Sequence, residues 1–128
     1  MSAEQRQSES PGTVRRLHEG DSILAHDPAL AEIVRRLVAA YQPEWVYLFG
    51  SVARGEAGPD SDYDLLVVVQ DTALPERCDS DLAYRVLRGT GIAADVVVWT
   101  RSRFERRRHV VTSLPATVLR EGRLLHAA

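Results

Sequence analysis

The stretch Leu48-Phe49-Gly50-Ser51-Val52-Ala53-Arg54-Gly55, continued by Asp60-Ser61-Asp62-Tyr63-Asp64-Leu65, decides the reading of this chain. It is entered through Trp45 to Phe49, a short apolar run rich in aromatic and β-branched residues that predicts a buried strand. It leaves through Leu65 to Val69, the most strand-like segment present. Between them, Gly50 to Ser61 is rich in Gly, Pro, Asp and Ser and predicts a loop, with room for one helical turn near Ser51 to Arg54.

The loop carries chemistry at both ends. Asp62 and Asp64 stand two apart at the mouth of a strand, so their side chains share one face. Two carboxylates held so close repel unless a cation lies between them. Mg²⁺ takes oxygen ligands, usually one or two carboxylates together with phosphate oxygens. Asp95 opens the run Ala94-Asp95-Val96-Val97-Val98, where a charge beside sheet-forming residues is costly unless it is used or solvated. Neighbouring strands lie about 4.8 Å apart, so carboxylates at adjacent strand ends can share a site. Three carboxylates suit two metal ions, one activating a hydroxyl and one holding a triphosphate. Glycine at Gly50 lets the backbone approach a ligand, and the Ser51 hydroxyl and nearby N–H groups suit phosphate oxygens. Arg54 offers a planar, permanent positive charge for phosphate.

Outward from this stretch, 128 residues with 45% hydrophobic and 27% charged residues fit one globular unit. All 16 basic residues are arginine, which excludes Schiff-base chemistry and a lysine-bearing phosphate loop. A net charge of -2 gives no field for nucleic acid, so direct nucleic-acid binding is not expected. Cys78 stands alone and builds neither a disulfide framework nor a metal site. No apolar run reaches membrane-span length and the polar start has no signal-peptide stretch, so a cytoplasmic protein away from membranes is expected.

Met1 to Gly12 is polar, and Thr13 to Ala25 has some apolar spacing (Val14, Leu17, Ile23, Leu24), interrupted by Gly20, that suggests a short helix; together residues 1–27 are expected to be a partly flexible extension. The domain proper is expected over 28–128. Asp27-Pro28 signals a helix start, and Leu30, Ile33, Val34, Leu37, Val38 and Tyr41 form its apolar stripe before Pro43. Further on, a helix over Pro75 to Arg88, a strand over Ala94 to Thr100, a helix opened by a Ser102/Glu105 capping box and running to about His109, a short helical piece from Pro115, and an edge strand over Arg123 to His126 are expected. The fold class is α/β (α+β), a small mixed sheet packed on helices.

The quoted stretch resembles the nucleotidyltransferase superfamily that includes DNA polymerase beta, above all its minimal nucleotidyltransferase branch. The signature is Gly-Ser, ten residues, then Asp-x-Asp. Here Gly50-Ser51 and Asp62-Tyr63-Asp64 enclose the ten residues Val52 to Ser61. Asp95 matches the third carboxylate, and the ending Leu119 to Leu125 resembles the close of such domains. The resemblance runs from about Pro28 to His126. It implies that Gly50 and Ser51 bind the triphosphate and that Asp62, Asp64 and Asp95 hold two Mg²⁺ ions. The reaction implied is transfer of AMP from ATP, or of another nucleoside monophosphate, to a hydroxyl. Minimal domains of this kind resemble antitoxins of the MntA type, whose partner is a HEPN-type toxin modified on a tyrosine. Two other functions fit the same residues: a non-catalytic antitoxin that neutralises a partner by docking, and a nucleotidyltransferase acting on an antibiotic.

Plainer roles compete for several residues. Asp62 and Asp64 also suit an acidic turn, Asp95 a strand-edge charge, Arg54 a solvated surface position, and Asp60 a turn. The arginines from Arg101 to Arg108 suit a solvated helix face as well as a partner surface.

Overall fold

The structure, a computed structural model, describes residues 11–59 and 61–128. Most of the polar tail and Asp60 lie outside the described residues.

Among the described residues eleven elements follow in order. Helix α1 (Pro11–His26) and helix α2 (Pro28–Tyr41) precede strand β1 (Trp45–Phe49) and the single turn α3 (Gly50–Ala53). Strand β2 (Tyr63–Val69), a 3-10 turn (Pro75–Arg77), helix α4 (Asp81–Leu87) and strand β3 (Ala94–Thr100) come next. Helices α5 (Arg101–Arg107) and α6 (Leu114–Glu121) and strand β4 (Arg123–Ala127) complete the chain. The four strands form one sheet in the order β3-β2-β1-β4, with β1 antiparallel to both β2 and β4 and β2 parallel to β3. The expected α/β architecture, a mixed sheet packed on helices, is the fold the chain adopts.

The period-2 alternation of the strands sorts two cores. On one face Val46, Leu48, Leu65, Val67, Val69, Val96 and Val98 pack against Leu30, Ile33 and Leu37 of α2 and Ala83 and Leu87 of α4. On the other, Tyr47, Leu66, Val68 and Leu124 meet Phe104 of α5 and Val118 of α6. The Tyr47 and Phe104 rings stack with centroids 5.9 Å apart. Because β1 and β2 are covered on both sides, Val46 to Leu48 and Leu65 to Val69 are buried without a break, and Leu65→Ala would cost about 2–5 kcal/mol.

Local signals hold where they are satisfied locally. Asp27 caps α2, its carboxylate accepting from the Leu30 N–H at 3.1 Å, and Gln42 ends it in the left-handed region at φ 47°. Three expectations give way to tertiary contacts. Gly20 does not interrupt α1: it lets the helix press on β4, where a Cβ would stand 2.1 Å from the Leu124 carbonyl oxygen. The expected helix from Pro75 to Arg88 is split, because the Asp79 carboxylate takes the Asp81 N–H at 3.0 Å and the Tyr41 hydroxyl donates to the Asp79 carbonyl at 2.6 Å. The Ser102/Glu105 capping box is not formed. Instead the Ser102 N–H donates at 3.0 Å to Asp71, from the loop after β2, and α5 ends at Arg107 rather than His109.

Candidate active site

Strand directions assemble the site. β1 runs antiparallel to β2, so it ends where β2 begins, with Phe49 paired to Asp64. β3 runs parallel to β2 and begins at the same end of the sheet, with Asp64 paired to Asp95. One sheet end therefore receives the Gly50-Ser51 turn, Asp64 and Asp95, with Asp62 just ahead of β2. The alternation along β2 and β3 places Asp64 with Leu66 and Val68, and Asp95 with Val97 and Trp99, on the face covered by α5 and α6.

Gly50 is fixed by two constraints. Its φ is +74°, a conformation side-chain-bearing residues rarely adopt, and a Cβ there would stand 2.2 Å from Asp64 Oδ2. The backbone thus passes directly over the carboxylate. The single turn α3 follows, with Ser51 half-buried in it and Arg54 at its end. The first N–H groups of any helical turn lack intrahelical acceptors and face outward to anions. The Arg54 Nε donates to Glu56 at 3.0 Å, and its guanidinium lies 3.7 Å from Glu121. Glu121, at the end of α6, is a contact that no local pattern places near the loop.

Burial pushes the Asp64 carboxyl above its ordinary range, and the charges of Asp95 and Asp62 push it further, while Arg54 acts in the opposite direction. The three aspartates thus feel one another at Asp64. Such a set, oxygen-only and mutually repelling, is the kind a hard divalent cation relieves, so the residues fit Mg²⁺. Among the described residues no three His, Cys, Asp or Glu side chains form a ready-made ligand group.

Two tyrosines frame the site. The Tyr63 hydroxyl is hydrogen-bonded to both oxygens of Asp27, at 3.0 and 2.9 Å, tying the start of α2 to the start of β2. Tyr84 of α4, an exposed residue, aims its hydroxyl at Asp95 Oδ1, 3.5 Å away. Tyr84 escaped the sequence reading. Its signal was only that it falls off the buried side of its helix, where Ala83 and Leu87 are the covered residues. Beside Asp62 an open hollow of about 440 Å³ extends over Tyr63, Ala29 and Ile92; Asp64, Asp95 and the Gly50 turn do not line it.

The arginine-rich α5 stands apart from this end of the sheet. Arg101 pairs with Glu44 at 2.6 Å, Arg108 with Glu105 at 2.8 Å, and Arg103 lies over the Trp99 ring at 4.1 Å.

Comparison with known proteins bears on the fold and the family. No curated protein sequence matches the chain. In fold the chain is similar to the crystal structure of a toxin–antitoxin with AMP-PNP, at 24% identity and a TM-score of 0.52, covering 76% of this chain and 73% of that one. It is similar also to a double Asp-to-Glu mutant of the toxin–antitoxin MntA-HpeT, at 23% identity and a TM-score of 0.50, covering 74% and 71%. The model of the nucleotidyltransferase domain family matches residues 29–125, a span that includes α2 from its second residue, the Gly50 turn and all three aspartates. On that match the chain belongs to the nucleotidyltransferase domain family, a family of transferases.

Proposed function

We propose that this protein transfers a nucleoside monophosphate, with ATP as the first candidate donor, to a hydroxyl of a partner protein, and that it serves as the antitoxin of a toxin–antitoxin pair. The observation that carries this reading is the passage of Gly50 over the Asp64 carboxylate, with Asp95 paired to Asp64 on the next strand. A phosphate-approaching turn and the acidic residues then serve one ligand. Gly50 and Ser51 would take the triphosphate oxygens, and Arg54 would add charge from the side. Asp62, Asp64 and Asp95 would hold Mg²⁺, two ions in the full site; bound there, they neutralise triphosphate charge and lower the pKa of the attacking hydroxyl.

The chain's own residues position and neutralise, which is most of what such a transfer demands. The acceptor oxygen forms a bond to the α-phosphorus, the bond to the bridging oxygen breaks, and pyrophosphate leaves. Asp95 is the residue assigned to the acceptor proton. It is exposed and lies on the outer strand β3, the side from which a partner can enter.

The fold likeness to toxin–antitoxin structures, one of them with AMP-PNP, supports a toxin partner and an adenine nucleotide. The partner proposed is a HEPN-type toxin, with a tyrosine hydroxyl as acceptor. The cytoplasm is the proposed site of action; among the described residues no helix is long and apolar enough to cross a membrane.

The test is co-expression with the product of the neighbouring reading frame, followed by intact mass of both chains. One added nucleoside monophosphate on the partner, absent with Asp62→Asn, supports the reading. A stable complex without added mass in either case rejects transfer and leaves neutralisation by docking.

A further inference from the structure

The chain has four tyrosines, and all are described. Three have their hydroxyls or rings committed inside the fold. Tyr41 donates to the Asp79 carbonyl at 2.6 Å and accepts from the Ala83 N–H at 2.9 Å. Tyr63 is bonded to Asp27. Tyr47 is buried at 4% exposure between Trp45 and Phe104. Tyr84 differs on every count. It is 52% exposed, and Asp95 supplies its hydroxyl's contact, 3.5 Å away.

Its position is held by its neighbours rather than by its own packing. Ala83, the preceding residue, is fully buried, and its N–H is pinned by Tyr41. Leu87, one turn on, is buried against the same core. Helix α4 is therefore anchored through Ala83 and Leu87, and Tyr84 projects from it toward the outer edge of β3. There its phenolic oxygen meets the carboxylate assigned above to the acceptor's proton.

We infer that Tyr84 is itself an acceptor, so that the protein nucleotidylates its own Tyr84. The inference rests on the transferase reading. In the step, the Tyr84 oxygen forms a bond to the α-phosphorus of a nucleoside triphosphate. The α–β bridging bond breaks, pyrophosphate departs, and the phenolic proton passes to Asp95 and on to water. An attached nucleotide would then occupy the approach to Asp95, so the modified chain would lose access for any other acceptor hydroxyl entering from that edge.

The experiment uses the full chain purified alone, incubated with Mg²⁺ and each of the four ribonucleoside triphosphates, and read by intact mass. Cleavage after arginine isolates residues 78–85, a peptide in which Tyr84 is the one tyrosine. The expected result is a gain of one nucleoside monophosphate, located on Tyr84, fully lost in both Tyr84→Phe and Asp62→Asn. Added mass at another residue, or mass that persists in Tyr84→Phe, overturns the inference. The co-expressed pair separates the two readings. Mass on the partner with none on Tyr84 overturns self-modification and leaves transfer standing, whereas mass on neither chain overturns both.

Discussion

Gly50 passes so close to Asp64 that a single methyl group on its Cα would come within 2.2 Å of the carboxylate oxygen Oδ2. The backbone that would contact phosphate and the carboxylate that would hold the metal are thus one packed unit. Gly50→Ala must both adopt an unfavourable φ of +74° and displace Asp64. We expect a stability loss of about 1–3 kcal/mol and, since the proposed function predicts that Mg²⁺ with ATP raises the melting temperature of the wild type, loss of that rise. Melting curves with and without nucleotide measure both effects.

At Asp64 the proposed function opposes stability. Burial and the neighbouring Asp95 and Asp62 raise its pKa, so its stabilising state is the protonated one. That contribution is full below the ordinary carboxyl range and is lost as pH rises through the folded value. At neutral pH the metal-free protein therefore carries an unrelieved repulsion. Asp64→Asn should raise the melting temperature of the metal-free form by a few degrees, a gain that solvent screening keeps below about 1 kcal/mol. The same change should abolish transfer. A variant that melts lower than wild type in chelator would contradict the repulsion.

His126 gives a pH response away from the site. Burial lowers its pKa below the ordinary 6.5, partly offset by a hydrogen bond to the Pro43 carbonyl. Its neutral form suits the fold, so its contribution is present above 6.5 and is lost as pH falls through the lower folded value. His126→Gln should flatten the fall in melting temperature below that pH. Equal slopes in the two proteins would show that other groups dominate.

Helix α1 is held on β4 through Gly20, and the Arg16 guanidinium donates to the Leu119 carbonyl. Gly20→Ala would drive a methyl into the Leu124 carbonyl, since helix and strand are both backbone at that contact. The cost expected is about 1–3 kcal/mol, the usual range for overpacking. Chemical denaturation measures it, and an unchanged midpoint would mean that α1 does not depend on this contact.

What could be read from sequence was what neighbours along the chain decide. The Asp27-Pro28 helix start, the apolar stripe of α2 and the strand around Leu65 to Val69 need only local chemistry, and they formed as expected. The spacing from Gly50-Ser51 to Asp62 and Asp64 was legible because one loop carries both ends to a single place. Gly20 was misjudged because its reason lies on a strand about a hundred residues later, beyond any local pattern. The capping box at Ser102 failed for a similar cause: Asp71, 31 positions away, supplied the acceptor first. Tyr84 gave no motif, since its meeting with Asp95 depends on how α4 packs across the sheet.

The proposed function is transfer of a nucleoside monophosphate at the end of the sheet that holds Gly50, Asp62, Asp64 and Asp95. Its most direct test supplies ATP labelled at either the α- or the γ-phosphate to the protein together with its co-expressed partner. The expected result is protein-bound α-label, free labelled pyrophosphate from the γ-labelled donor, and neither with Asp62→Asn. Protein-bound γ-label, or α-label that survives Asp62→Asn, would contradict it.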